Sequence, residues 1–553
     1  MLVSFGAMQT RRRFLARSAA ASAALLLAPR TSRAADSRID IRLDEPIGLI
    51  APEIYGHFAE HLGGVVYDGI WVGEGSKIPN VGGIRSALVE HLRRINAPVV
   101  RWPGGCFADS YDWRDGVGAM GTRPRRTNFW VNTKVPPGPQ QYDPNAFGTV
   151  EFLRFCRLSG AQPYLAANLR SLPPRDFYQW VEFCNSPAGT TSMAAAREAQ
   201  GEKDPFNVRY WGVGNEPWGC GGDFSPEDYA TEFKRYTSWV PGFDVGLRFI
   251  GAGPSGPEFE WTRRFFAKLT AESRGMARRL WGWSVHHYST NVSGGRSSDW
   301  NESKGPAVGF TREQWFELLK EGDRLDGFID GHARVLSEFD PQHRVKLAID
   351  EWGSWHKPGS EPVPAHTLGQ VSTLRDALLA GLSLDIFHRH ADRVGMANLA
   401  QLVNCLQALF VAHEDKFVVT PNYHVFDMYK GHMGAESVRA IFSAPAVGYE
   451  RNGQPARIWG LNGSASRKDK TVTLTVVNPS PDTAREADIA VAGARIGSCT
   501  SRVLTAASLD AHNSFAAPDA VPSPQAANVA VPSGGLVVTF PKASVTALTL
   551  TLA

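Results

Sequence analysis

The chain has 553 residues, 43% hydrophobic and 20% charged, which excludes wholesale disorder and predicts more than one folding unit. Its formal net charge is only +3, so neither nucleic acid nor an anionic membrane is indicated as a partner.

Residues 1–35 read as a targeting segment. Thr10-Arg-Arg-Arg-Phe-Leu15 precedes an Ala- and Leu-rich run, Ser18–Ala28, and small residues follow around Ser32-Arg-Ala34-Ala35. This is the pattern of a twin-arginine signal and predicts export to the periplasm or the extracellular space. The run is too short for a permanent anchor, so no membrane association is expected once it is removed.

Residues 36–50 begin with the alternating run Arg38-Ile-Asp-Ile-Arg-Leu, which predicts a strand that joins a sheet formed by the C-terminal part. From 51 to 425, short apolar runs alternate with amphipathic stretches. Candidate strands lie near 53–58, 97–104, 162–168, 208–215, 247–253, 282–288, 345–351 and 397–404. Helical stretches include Ile84–Ile95, Phe147–Ser159, Pro226–Trp239 and Thr367–Arg389. Eight such units predict an α/β fold, the (β/α)8 TIM barrel, with functional side chains at the carboxyl ends of the strands. From 426 to 553 the chain turns to Val, Thr, Ala and Ser in short alternating runs such as Thr471–Asn478 and Val545–Leu552. These predict an antiparallel, jelly-roll-like β-sandwich, with 507–535 as a long loop.

Two of the barrel runs end in a glutamate. Gly214-Asn215-Glu216-Pro-Trp218 closes the fourth and Ile349-Asp350-Glu351-Trp352 the seventh. These strands face each other across a barrel, and two carboxyl groups about 5 Å apart are what a retaining glycosidic cleavage needs. Asn215 is placed to bond a sugar hydroxyl, and Trp218 and Trp352 to cover a sugar face.

Separated motifs extend this pattern: Ile54-Tyr-Gly-His-Phe-Ala-Glu-His-Leu-Gly63, Val100-Arg-Trp-Pro-Gly-Gly-Cys-Phe-Ala-Asp109, Trp211-Gly-Val-Gly-Asn-Glu-Pro-Trp-Gly-Cys-Gly-Gly222, Ser284-Val-His-His-Tyr288 and Met396-Ala-Asn-Leu-Ala-Gln-Leu-Val-Asn404. In order and spacing they resemble the α-L-arabinofuranosidases of glycoside hydrolase family 51. The resemblance covers roughly residues 45 to 480. It implies Glu216 as acid/base, Glu351 as nucleophile, and Glu60, Asn215, His286, Tyr288 and Gln401 as contacts to one arabinofuranosyl unit. It also implies an arabinose-containing polysaccharide or oligosaccharide as substrate, and a homo-oligomer as an option. Cys106 stands where many members have Asn, which leaves one sugar contact open. Segment 168–174 departs from the family's usual Gly-rich turn, and 291–309 reads as an insertion.

No cofactor or metal is expected. His57, His61, His287 and His356 lack the spacing of a metal motif, Asp109, Asp112 and Asp115 are too sparse for a calcium loop, and Pro103-Gly104-Gly105 lacks the lysine of a phosphate cradle. The cysteines Cys106, Cys156, Cys184, Cys220, Cys405 and Cys499 show no close pair, so mostly buried free thiols are expected. Two other readings compete: a β-1,4-glucan or xylan hydrolase on the same scaffold, and a non-catalytic carbohydrate-binding protein. Retention of both carboxylates argues against the latter.

Overall fold

The structure is a computed structural model that describes residues 35–132, 142–271, 279–290, 304–532 and 535–553. The arginine-rich segment before residue 35, and Asn291 with most of the segment 291–309, lie outside the described residues.

Eight parallel strands close a barrel in chain order: Gly56–Phe58, Val99–Trp102, Gln162–Ala167, Tyr210–Val213, Arg248–Gly251, Leu280–Ser289, Lys346–Ser354 and Val394–Ala400. We call these barrel strands 1 to 8. Strand 8 pairs with strand 1 through Asn398 and Gly56, which closes the ring. Each of the eight candidate runs contains a strand, although the first half of the run at 53–58 belongs to a 3-10 helix, Pro52–Tyr55. They read clearly because a parallel strand buried on both faces is an almost unbroken apolar run. The crossover helices begin where local chemistry allows. Pro174 and Pro226 occupy first turns, and Thr311 with Gln314 and Thr373 with Asp376 form capping boxes.

Nine strands form a second sheet, antiparallel apart from one pair. Ser37–Leu49 sits inside it, antiparallel to Glu436–Ser443 and parallel to Arg485–Val491. This sheet has its own core, including Ile39, Ile41, Leu474, Ile489, Phe540 and Leu548. Val477, Leu504 and Val545 instead join the barrel's core.

Two irregularities shape the carboxyl end of the barrel. Pairing of strand 6 with strand 7 slips between Ser284 and His286, and pairing of strand 7 with strand 8 slips between Ile349 and Trp352. Such slips re-aim side chains. Here they let the consecutive residues Asp350 and Glu351 share partners on the barrel axis.

Candidate active site

Arg101 on strand 2 is fully buried and organises the cleft. Its Nη1 donates to Glu351 Oε1 at 2.7 Å, its Nη2 donates to Asn215 Oδ1 at 2.5 Å, and its Nε lies 3.5 Å from Asp350 Oδ2. Burial opposes its charge, but Asp350 and Glu351 outweigh that and hold the guanidinium protonated. The planar fork suits this task, since it addresses two strands at once.

Glu351, in strand 7, also accepts from the Tyr288 hydroxyl at 2.8 Å. Glu216 follows strand 4 in a left-handed conformation, with φ 40°. Its Oε1 lies 2.9 Å from His286 Nδ1, and that nitrogen is 3.5 Å from Glu351 Oε2. Ligand-type atoms of Glu216, His286 and Glu351 all lie within 4.8 Å of one another. The two carboxyl groups therefore converge on one space.

His286 Nε2 is 3.2 Å from Asp350 Oδ1. Burial disfavours the imidazolium, but Glu351, Asp350 and Glu216 overcome this and push its pKa up to about 10. Asp350 is held well below the usual carboxylate range, since Arg101 and His286 more than offset its burial. Two cations thus face three carboxylates, and the buried cluster is neutral when one carboxylate holds a proton.

Beside this cluster, Glu60 follows strand 1. Its Oε1 accepts from the Phe107 N–H at 2.9 Å and Trp130 Nε1 at 3.1 Å, and its Oε2 accepts from Gln401 Nε2 at 3.3 Å. Burial is the main reason its pKa rises to about 8, and the Glu351 charge adds to it. Gly105 makes the approach possible: a Cβ there would lie 2.5 Å from Glu60 Oε2. Asp109 joins the loops after strands 2, 3 and 4, since it accepts from the N–H groups of Leu169 at 2.7 Å and Asn215 at 3.0 Å.

Cys156, Cys184, Cys405 and Cys499 are free and buried, in line with mostly buried free thiols, and Cys106 is bridged to Cys220. The bridge lies against Glu216 Oε2, with Cys220 Sγ at 3.5 Å and Cys106 Sγ at 3.9 Å. Neither sulfur carries a hydrogen, so these are packing contacts. One site expectation needs correction: Trp352 does not face the sugar space. It is buried against Phe387 and Phe426, because the residue after the inward Glu351 points outward. Trp218 lies in the loop after strand 4 and donates to the Gly253 carbonyl at 3.2 Å.

The structure brings Glu60, Asn215, Glu216, His286, Tyr288, Glu351, Gln401 and the Cys106 bridge to one end of the barrel. Arg101, Asp350, Asp109, Trp130 and Cys220 complete it and went unassigned in the sequence. Arg101 left a signal, since a charged residue within an apolar strand must have a buried partner. The histidines weighed as ligands have other contacts. His61 and His356 pair with Asp143 and Asp376, His287 donates to the Glu321 carbonyl, and His57 packs on Phe426.

A TIM barrel with two convergent carboxyl groups at its carboxyl end defines a glycoside hydrolase. The comparisons narrow the class. The family described as "Alpha-L-arabinofuranosidase 1 domain" matches residues 91–290, and "Alpha-L-arabinofuranosidase C-terminal domain" matches 350–544. An intracellular exo-α-L-arabinofuranosidase of Bacteroides ovatus is 34% identical over 515 residues, 93% of this chain and 95% of that protein. An intracellular exo-α-(1→5)-L-arabinofuranosidase of Acetivibrio thermocellus is 28% identical, over 67% of this chain and 70% of its own. The crystal structure of the family 51 arabinofuranosidase from Xanthomonas axonopodis pv. citri superimposes with a TM-score of 0.83 at 35% identity, covering 93% of this chain and 100% of the other. The chain belongs to glycoside hydrolase family 51, and its activity is that of an exo-acting α-L-arabinofuranosidase.

The export expectation does not stand. The Bacteroides ovatus and Acetivibrio thermocellus relatives are named intracellular enzymes. An arginine pair before an apolar run is a short compositional pattern, and it carries less than similarity along the whole chain.

Proposed function

We propose that Glu351 is the nucleophile and Glu216 the acid/base of a double displacement on α-L-arabinofuranosides from arabinan- or arabinoxylan-type glycans. The observation that carries this is the convergence of the two carboxyl groups within 4.8 Å of each other and of His286. Glu351 oxygen forms a bond to the anomeric carbon while the bond to the leaving oxygen breaks. That oxygen takes the proton of Glu216. Water then attacks the same carbon, gives its proton to Glu216 and releases Glu351. Tyr288 and Arg101 aim the nucleophile, and their donors keep its charge on the carboxylate until the bond forms.

Glu60, Asn215 and Gln401 orient the sugar. Burial raises the pKa of Glu60 to about 8, which favours its protonated form, and in that form it can donate to one hydroxyl as well as accept from another. Polar groups matched to a ring's hydroxyls reject isomers, because a mismatch leaves buried groups unpaired.

Azide and leaving groups test the assignment. Glu351→Ala should lose activity on an aryl arabinofuranoside by at least about 1,000-fold and regain part of it with azide, as the glycosyl azide. Glu216→Ala should lose about 100- to 10,000-fold on natural linkages and far less on aryl glycosides with good leaving groups. Equal losses on both substrate types would remove Glu216 from its role.

A further inference from the structure

Beside the catalytic cleft, three loops meet at one carboxylate. Asp68 lies in the loop after strand 1, His366 in the loop after strand 7, and His413 ends the hairpin strand Phe410–His413 after strand 8. Asp68 Oδ2 is 2.7 Å from His413 Nδ1 and 3.3 Å from His366 Nε2. All three ligand-type atoms lie within 4.8 Å of one another. The imidazole rings stand 88° apart, with centroids at 5.6 Å, so they meet edge-on around the oxygen rather than stack.

The surroundings hold this set in place. Asp68 Oδ1 accepts from the Glu414 N–H at 2.8 Å and from Arg85 Nη2 at 3.3 Å, which leaves Oδ2 for the imidazoles. Ligating carboxylates are fixed by an outer shell of this kind. The His366 N–H donates to the Val363 carbonyl, and the Asp68 N–H donates to that of Trp71. The His366 ring lies where a Cβ on residue 64 would come within 2.3 Å, so Gly64 is needed to seat it. Asp68 itself holds φ 77°, a conformation that costs a non-glycine residue energy and needs its surroundings to persist.

Two imidazole N–H groups donating to one carboxylate oxygen account for both contacts without an ion. The same three atoms also stand at separations that suit a metal. In a tetrahedral zinc site, bond lengths near 2.0–2.1 Å place neighbouring ligand atoms about 3.3 Å apart. The His366 contact has that separation already. His413 needs to withdraw by roughly half an ångström to satisfy the same geometry, and its side chain is 39% exposed.

We propose that Asp68, His366 and His413 bind one divalent transition-metal ion, with Zn2+ the best match to two imidazoles and a carboxylate and water as the fourth ligand. The ion ties the loop after strand 7 to the loops after strands 1 and 8, which carry Glu60 and Gln401. Its role is structural: it fixes the rim of the sugar site and takes no part in bond cleavage.

The full chain, stripped with a chelator, is titrated with ZnCl2 and desalted, and the metal is counted. One equivalent should co-elute and raise Tm. His413→Gln should melt cooperatively yet hold no zinc and show no rise. Glu216→Gln should keep both. Co2+ gives a second readout: visible bands of a tetrahedral site in wild type, absent in His413→Gln. The proposal is overturned if no metal co-elutes, if His413→Gln still binds it, or if Glu216→Gln releases it. The last result would place the ion among Glu216, His286 and Glu351.

Discussion

Arg101 is a buried cation in the cleft that holds two carboxylates and caps Asn215 as well. Removal of one partner from a buried charge cluster leaves the others uncompensated and costs about 3–5 kcal/mol. Arg101→Met should therefore lower the unfolding free energy by about that much in urea; a loss under about 1 kcal/mol would mean that water, not Arg101, stabilises Asp350 and Glu351. His286 predicts a pH dependence. Its folded pKa, pushed up to about 10, exceeds the ordinary value of 6.5. The stability it contributes is complete below pH 6.5 and is lost as pH rises toward 10. Wild type should lose stability across that window by at most about 1.4 kcal/mol per pH unit from this group. His286→Gln should show a flatter alkaline limb in Tm against pH, and an unchanged slope would contradict the imidazolium. Sequence pattern reached the residues at strand ends but not this network. A motif places His286 and Glu351 on neighbouring strands, whereas the charge on each depends on which side chains the barrel turns inward.

At the scale of elements, the strands were legible and the links between their loops were not. The parallel strands are mostly apolar runs, and the polar motifs fall at or near their carboxyl ends, so both the barrel and the position of the cleft follow from period and order. The Cys106–Cys220 bridge spans a sequence separation of 114, and nothing local marks the two as partners. The direction of Trp352 followed from strand alternation once Glu351 faced inward, while the adjacent inward Asp350 depends on a slip in pairing that no sequence pattern announces. The bridge clamps the loops after strands 2 and 4 around Glu216. Gly221 shows how tight that loop is, since a Cβ there would meet the Asn215 carbonyl oxygen at 1.8 Å. Disulfides typically stabilise by about 2–4 kcal/mol, and a loop of this length lies toward the upper end or just beyond it. Cys220→Ser should lose roughly that amount in denaturant and lower kcat on poor leaving groups more than on good ones, as Glu216 loosens. Dithiothreitol should reproduce the effect in wild type and leave Cys220→Ser unchanged. If reductant changes neither stability nor rate, the clamp has no role.

Across the whole molecule, the barrel and the C-terminal sheet share one buried layer. Helix Leu374–Arg389 is buried along nearly its full length, and a helix without a wet face needs partners on every side. Gly381 permits the close approach: a Cβ there would lie 2.9 Å from the Tyr429 hydroxyl and 3.3 Å from Val477 of the sheet. His388 lies 2.8 Å from both the Tyr55 hydroxyl and Ser464 Oγ, so one imidazole joins the two parts. Asp385 accepts from Ser464 at 2.7 Å and Thr475 at 2.5 Å, although burial still pushes its pKa up to about 7. Trp315 Nε1 donates to the Pro479 carbonyl at 2.8 Å. Loss of the sheet would strand these polar groups and uncover the apolar side of the helix. Each Val or Leu side chain left fully uncovered costs about 1.5–3 kcal/mol, so several of them are comparable with the 5–15 kcal/mol that typically separates folded from unfolded chains. Residues 50–435 expressed alone should therefore show no cooperative thermal transition and should bind a hydrophobic dye. A sharp melt of that fragment, shifted upward by arabinose, would show that the barrel and its sugar site stand without the sheet.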